Sequence, residues 1–265
     1  MISVRETNSL VVGNDALPMR VARVLFGQPV TSRLNEEERH WLSQAQWSLR
    51  SLDSGVTLFD QGDDCQTVSV LLSGWSFRQQ NLPDGKRQIL DFVLPGSLLG
   101  FSSSTSCNYG IETITPCVIA SLPMRQFYTL LSRIPTLAIR VAEIVSDSEI
   151  RAYTSLTNLG RRSARERVAG FIAQMMQRTC LPEGSGSSCQ FELPISQVAI
   201  ADALGLSNEH VCRTLSKLTA DGRIGIKGHR ITVLDPKGLL RDACMEVPAA
   251  RHSDYGRRLQ PAIAA

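Results

Sequence analysis

The chain has 265 residues, 43% of them hydrophobic and 20% charged, with a formal net charge of +3 at pH 7. That length accommodates two modest domains, each with its own core, and a net charge this small says little by itself about nucleic acid. No run of eighteen apolar residues occurs, and Met1 to Glu6 lacks the basic start and apolar stretch of a secretory signal, which excludes an ordinary membrane span and points to the cytoplasm.

Residues 1–30 show no sustained period and are expected to be a loosely ordered extension. A short helix is predicted from Leu34 to Leu42, with Asn35 placed to cap it and acidic residues in its first turn. From Leu52 to Leu122 the pattern changes to short β-rich runs, at Val56–Phe59, Val68–Leu72, Trp75–Phe77, Gln88–Leu94 and Cys117–Ala120. Glycines 55, 62, 74, 85, 96 and 100 punctuate them, with Pro83-Asp84-Gly85 and Pro95-Gly96 reading as turns. Regular short strands of this kind predict an antiparallel sandwich or roll.

The period then switches to 3.6. Met124 to Leu131 reads as a short helix, and Pro135 marks the start of the next. Thr136 to Leu159 runs for 24 residues without Pro or Gly. Ala138, Ala142, Val145, Glu149, Ala152, Leu156 and Leu159 follow a four-three spacing, a coiled-coil-like seam that Glu149 interrupts. Packing of this helix against its own β domain is the competing reading. Gly160 is expected to end the helix. A second amphipathic helix, from Ser163 to Arg178, turns Val168, Phe171, Ile172, Met175 and Met176 toward a core. The cluster Arg161, Arg162, Arg165 and Arg167 around Glu166 could touch a DNA backbone or simply face solvent.

Leu181 to Ser188 reads as a flexible loop, whose Gly-Ser-Gly no strand precedes, so it is no phosphate cradle. Gln190 to Leu193 reads as a small strand. Next comes the most informative stretch. Ile200, Ala201 and Leu204 share one helical face, Gly205 supplies a turn, and Ser207 can cap a second helix buried through Val211, Leu215 and Leu218. Off that face the second helix carries Asn208, Glu209, His210, Cys212, Arg213 and Lys217. Polar and charged groups toward the N-terminal half of the second helix suit insertion into a major groove. Arg223 to Leu234 alternates around Lys227-Gly228-His229, a short hairpin with basic residues suited to phosphate. Helix, turn, helix and basic hairpin together predict a reader of double-stranded DNA. Beyond Pro236 a polar, Ala- and Pro-rich tail is expected.

Seven cysteines stand at positions 65, 107, 117, 180, 189, 212 and 244. No C-x-x-C pair occurs and the count is odd, which argues against a full disulfide framework. In a reducing cytoplasm most are expected to be small buried hydrophobes. Zinc HExxH, Gly-x-Ser-x-Gly and P-loop patterns are absent, so no enzyme is expected, nor a metal or cofactor. His40 with Cys65 or Cys107 could ligate a haem, which keeps open a second reading in which the β domain senses a small molecule or haem.

This order of elements resembles the Crp/Fnr family of bacterial transcription regulators, over about residues 35–235. Ile200 to Leu215 and the hairpin carry the resemblance most specifically, supported by Gly55, Asp60 to Asp63, Gly74, Leu94 to Gly96 and Gly100-Phe101. It implies an α+β chain: a cyclic-nucleotide-binding-like β-roll, a long dimerisation helix and a C-terminal winged helix-turn-helix. The implied boundaries are 1–30 for the extension, 31–133 for the roll, 134–160 for the helix, 161–236 for the DNA-binding domain and 237–265 for the tail. Cyclic-AMP-binding members carry a Gly-Glu-Leu cassette and a later phosphate-neutralising Arg. Here Gly100 precedes Phe101-Ser102-Ser103, and the Arg position falls near Cys107-Asn108. A buried phosphate without its cation costs several kcal/mol, so cyclic AMP is not expected.

Iron–sulfur members need cysteines before the roll, and the first here is Cys65. The remaining resemblance is to the FixK-like branch. It implies a homodimeric activator, partnered by DNA and RNA polymerase, that binds a TTGAT-like inverted repeat and governs microaerobic, nitrogen-oxide or nitrogen-fixation genes. The implied DNA contacts are Ser207, Asn208, Glu209, His210, Cys212, Arg213 and Lys217, with Lys227 and His229 on the wing; Glu209 and Arg213 match the family's base-reading pair. Cys212 occupies a position that is Ser in the FNR-like group, and its oxidation would put negative charge against phosphate.

Overall fold

A computed structural model describes residues 17–27, 33–102, 104–180 and 189–245. The expected loose start before residue 17, the 181–188 loop and the tail beyond 245 lie outside them. The described chain forms two compact units, parted chiefly between Glu149 and Ile150.

The first unit opens with α1 (Leu17–Phe26) and α2 (Glu36–Ser43). Helix α1 is a correction, since this stretch carries no sustained period yet buries Val21, Ala22, Leu25 and Phe26 completely or nearly so. Asn35 caps α2 as its position suggested. Its side chain accepts the Glu38 backbone N–H, while Glu38 accepts the Asn35 N–H in return, which satisfies two of the donors a helix start leaves orphaned. The buried Glu38 carboxylate also accepts the Thr136 N–H at 3.0 Å, so one side chain serves two helix starts.

Eight strands follow: β1 (Ser48–Leu52), β2 (Thr57–Phe59), β3 (Thr67–Ser73), β4 (Ser76–Asn81), β5 (Arg87–Val93), β6 (Leu98–Leu99), β7 (Gly110–Thr113) and β8 (Cys117–Pro123). They form two four-stranded sheets, in the orders β1-β8-β3-β6 and β2-β7-β4-β5. Strand β3 shows why its run reads as continuously apolar. Val68, Val70 and Leu72 face the helices, while Leu71 packs with Val93, Leu99, Ile111 and Ile119 on the other side. Both faces are covered, so the period-two alternation is hydrophobic on each. Gly100 sits at φ +74°, where a Cβ would lie 2.6 Å from the Thr67 carbonyl oxygen; no larger residue fits that turn.

Helices α3 (Met124–Arg133) and α4 (Pro135–Arg161) close the unit and leave it. Pro135 does open α4, but Gly160 lies inside the helix rather than ending it. The break comes at Ser163, which caps α5 (Ala164–Thr179) in a box with Glu166. The second unit continues with β9 (Cys189–Glu192), α6 (Gln197–Leu204), α7 (Asn208–Ala220), β10 (Ile224–Lys227), β11 (Arg230–Val233) and α8 (Pro236–Asp242). Helix α8 corrects the expectation of a tail from residue 237, because Leu239, Leu240 and Ala243 are buried.

The cysteines are a further correction. Cys65 is bonded to Cys107 and Cys180 to Cys189, leaving Cys117 buried and Cys212 and Cys244 exposed. Sequence separations of 42 and 9 residues carry no spacing signal that betrays either pair. No helix among the described residues is long and apolar enough to cross a membrane.

Candidate nucleic-acid interface

Two helices and a three-stranded sheet build the interface. Ser196 caps α6 by accepting the Ala199 N–H at 3.1 Å. Gly205 ends α6 at φ +60°, and a Cβ there would meet a Leu159 methyl at 2.9 Å. The turn therefore needs glycine for its backbone and for the close approach of α4. Ser207 then caps α7 by accepting the His210 N–H, and its hydroxyl also lies 2.8 Å from His210 Nδ1.

The buried face of α7 is Val211, Thr214, Leu215 and Leu218, the expected residues joined by Thr214. Ser207, Asn208, Glu209, His210, Cys212, Arg213 and Lys217 are all exposed. Among the described residues, Glu209, Cys212, Arg213 and Lys217 direct no side-chain hydrogen bond or ion pair at the protein. Glu209 and Arg213 stand four residues apart, which on a helix places them on one face. Ser216 is also exposed between them and Lys217, its hydroxyl turned back to the Cys212 carbonyl.

The wing is a two-residue hairpin in which Lys227 pairs with Arg230 across Gly228 and His229. Strand β9 adds to its far side in the order β10-β11-β9. Lys227 and His229 are exposed. Arg230 does not share that freedom: its guanidinium holds Glu192 at 2.8 and 3.1 Å.

Three of the four arginines clustered around the start of α5 fasten the protein to itself. Arg167 donates to three carbonyl oxygens, those of Leu159 (2.9 Å), Arg162 (2.8 Å) and Leu204 (3.0 Å). The Leu159 and Leu204 carbonyls lie at the C-terminal ends of α4 and α6, where carbonyls lack a partner within the helix, and the Arg162 carbonyl lies at the joint between α4 and α5. Arg165 bridges Asp221 and Asp242 at 2.7 and 2.8 Å, and Arg162 reaches Asn158 and the Cys244 carbonyl. Only Arg161 of the four is exposed. Arg223 completes the fastening, holding Asp235 and Asp242. Burial alone would raise the Asp242 carboxyl, but Arg165 and Arg223 outweigh it and hold the group below its ordinary value of 3.8. The Cys244 thiol and the Ser163 N–H together draw Glu166 down to about 2.

Along α4, Ala142, Val145, Glu149, Ala152 and Leu156 are exposed, whereas Ala138 is half-buried and Leu159 packs beside Gly205. Ile150 and Tyr153, outside the four-three spacing, are exposed as well. Val145 is 47% exposed, Ile150 59%, Tyr153 60% and Leu156 66%. Cys65 and Cys107, the sulfurs considered as haem ligands, are bonded to each other; a disulfide has no thiolate to offer an iron. His40 lies exposed on α2.

Comparison with known proteins agrees with this arrangement. Residues 49–134 match the cyclic nucleotide-binding domain and residues 166–242 the Crp-like helix-turn-helix domain. The nitrogen fixation regulation protein FixK of Bradyrhizobium diazoefficiens is 36% identical over 186 residues, which is 69% of this chain and 76% of that protein. The transcriptional activator protein FnrL of Cereibacter sphaeroides is 30% identical over 218 residues, 81% of this chain and 87% of FnrL. Among solved structures, FixK2 from Bradyrhizobium japonicum superposes with a TM-score of 0.66 at 26% identity, covering 77% of this chain and 99% of that one.

Proposed function

The chain belongs to the Crp/Fnr family of DNA-binding transcription regulators and is not an enzyme, and from that premise we propose that it acts in the cytoplasm as a homodimeric activator reading an inverted repeat. One observation carries the reading most directly. A capped helix presents Glu209 and Arg213 one turn apart, solvent-exposed and without protein partners among the described residues, beside a wing that offers Lys227 and His229. A carboxylate accepts from a cytosine amino group, and a guanidinium forks onto guanine O6 and N7. Ser207, Asn208, His210 and Lys217 flank that pair, and the two wing residues supply phosphate contacts that position without specifying.

Dimerisation runs along α4, with a second copy covering Ala142, Val145, Ala152, Tyr153 and Leu156. Ala138 and Leu159 lie at the two ends of that seam. Paired readers require paired half-sites about one helical turn apart. The half-site is TTGAT-like, the genes served are microaerobic, nitrogen-oxide or nitrogen-fixation genes, and RNA polymerase is the partner that turns binding into activation. FixK and FnrL, by their names a nitrogen fixation regulator and a transcriptional activator, support this placement. Residues 100–109 contain no Lys or Arg, so the activator works without cyclic AMP.

Cys212, exposed beside Arg213, would carry a negative sulfinate toward phosphate once oxidised. Peroxide should then weaken operator binding of the parent but not of Cys212→Ser, as read by gel shift. The reading as a whole is tested by selecting bound duplexes from a random pool. An enriched inverted repeat of TTGAT-like halves is the expected outcome; a pool that stays random defeats the assignment.

A further inference from the structure

The function proposed above makes no use of the disulfide between Cys65 and Cys107, whose surroundings lead toward α4. We propose that Cys65 and Cys107 are a reversible oxidation site for hydroperoxides, and that the bond between them sets the placement of α4 through Tyr109, Arg78 and Ser148. Its consequence for DNA rests on the function proposed above.

The two segments are held together independently of the sulfurs. Cys65 N–H donates to the Thr105 carbonyl (3.0 Å), Cys107 N–H to Asp63 (2.8 Å) and Gly62 N–H to Cys107 (2.8 Å). The Cα atoms lie 5.6 Å apart, inside the range a disulfide spans without moving backbone. Reduced thiols on this ladder stay neighbours, so the bond can open and reclose. Cys107 is buried, at 4% exposure, while Cys65 is half-buried. Cys65 is therefore the sulfur an oxidant reaches, and Cys107 the one that resolves.

The chemistry balances in two steps. The Cys65 thiolate attacks a peroxide oxygen; the O–O bond breaks, the other oxygen leaves as alcohol or water after protonation, and Cys65 becomes a sulfenic acid. The Cys107 sulfur then attacks the Cys65 sulfur, the S–O bond breaks and water leaves. Two electrons pass from the thiols to the peroxide, and a dithiol reductant returns them by exchange.

From Cys107 the path to α4 is short. Two residues on, the Tyr109 ring lies under the Arg78 guanidinium at 5.3 Å and beside Phe59 at 6.1 Å. Arg78 donates to the Leu98 carbonyl at 2.7 Å and to the Ser148 hydroxyl on α4 at 3.4 Å, and meets Asp91 at 3.5 Å. Ser148 stands between Val145 and Ala152 of the proposed seam. The closed bond adds a covalent tie to the hydrogen-bonded ladder two residues before Tyr109; once it opens, only those hydrogen bonds steady the ring and the guanidinium above it, and the Arg78 anchor on α4 loosens. The pair is the two-state element that such coupling requires.

The test uses the full chain carrying Cys212→Ser, so that the thiol on the reading face contributes nothing. Samples reduced with dithiothreitol or oxidised with hydrogen peroxide are compared by peptide mapping, amide hydrogen exchange and binding to the selected operator and a scrambled duplex. A linked Cys65–Cys107 peptide should appear only after peroxide. Amides of residues 145–152 should exchange faster in the reduced form, and operator affinity should be about fivefold or more lower there. Cys65→Ser and Cys107→Ser should behave as reduced in both conditions. Absence of the linked peptide, or exchange over 145–152 that ignores a demonstrably closed bond, overturns the proposal whatever the DNA result. Binding that is equal in both states, or tighter when reduced, overturns the coupling to DNA. A protein that fails to distinguish operator from scrambled duplex in either state instead removes the DNA-reading assignment, and the exchange measurement still decides the redox site.

Discussion

Arg213 and Lys227 are both exposed cations, yet the proposed docking gives them different work. Arg213 rises from the first half of α7 next to Glu209, whereas Lys227 ends a strand of the wing. A bidentate contact to guanine is worth about 1–3 kcal/mol of discrimination. Arg213→Ala should therefore weaken operator binding by about that amount and flatten the preference at one base pair of each half-site. Lys227→Ala should weaken operator and scrambled duplexes alike and lower the salt slope by about one for each wing. Titrations at several salt concentrations separate the two; retained operator preference in Arg213→Ala would refute the docking of α7. Arg230 marks the limit of such reasoning from residue type. It shares the hairpin and the charge of Lys227, but Glu192 across the sheet already occupies its guanidinium, and a sequence separation of 38 residues hides that pairing.

The arginines around the start of α5 show how elements are fastened by groups that look like DNA contacts. Arg167 satisfies carbonyls at the ends of α4 and α6 and at the joint before α5, so it sets the angle at which the reading helices leave α4. Hydrogen bonds from a charged donor are worth about 1.5–3 kcal/mol, and orphaned carbonyls add to the cost. Arg167→Met should destabilise the second unit by roughly 2–3 kcal/mol in urea unfolding, while leaving the salt slope of DNA binding unchanged. A steeply altered slope with unchanged stability would return Arg167 to the DNA backbone. Helix α8 is fastened by charge as well, and its pH dependence has a definite sign. Asp242 and Glu166 are held below their ordinary range, Glu166 at about 2, so their contribution is complete above the unfolded carboxylate range near 4 and fades as pH falls through the folded values. Thermal stability should drop between about pH 4 and pH 2, and Asp242→Asn should both lower stability at neutral pH and flatten that acid limb. The long strands, α4 and the reader were legible because each has one strong period. Strand β6 has two residues and α1 only ten, too few to set up a sustained period. Helix α8 did carry a signal, Asp235 before Pro236, with the carboxylate capping Gly238 N–H at 2.8 Å and proline at the first helical position.

Assembly is where the sequence pattern and the surface meet. The four-three spacing along α4 marked Ala142, Val145, Ala152 and Leu156, and all four lie exposed. It passed over Tyr153, which flanks the stripe and is as open as Leu156; a small-residue seam borders on larger neighbours that heptad spacing does not select. Through-space pairs such as Cys65–Cys107 were invisible for a similar reason, since nothing in spacing encodes a sheet register across 42 residues. An apolar row this exposed on a helix of 27 residues costs free energy in water unless a second copy covers it. Leu156→Glu sets two carboxylates facing each other across such a seam while altering a side chain that touches little of its own protomer. Folding of the monomer should change by no more than about 0.5 kcal/mol, but sedimentation equilibrium should show dissociation at micromolar protein. Binding to the inverted repeat should fall by about tenfold or more, because each reader then finds its half-site without the effective concentration its tethered twin provides, and a single half-site should be bound as well as before. A Leu156→Glu protein that remains dimeric would move the contact between copies away from α4.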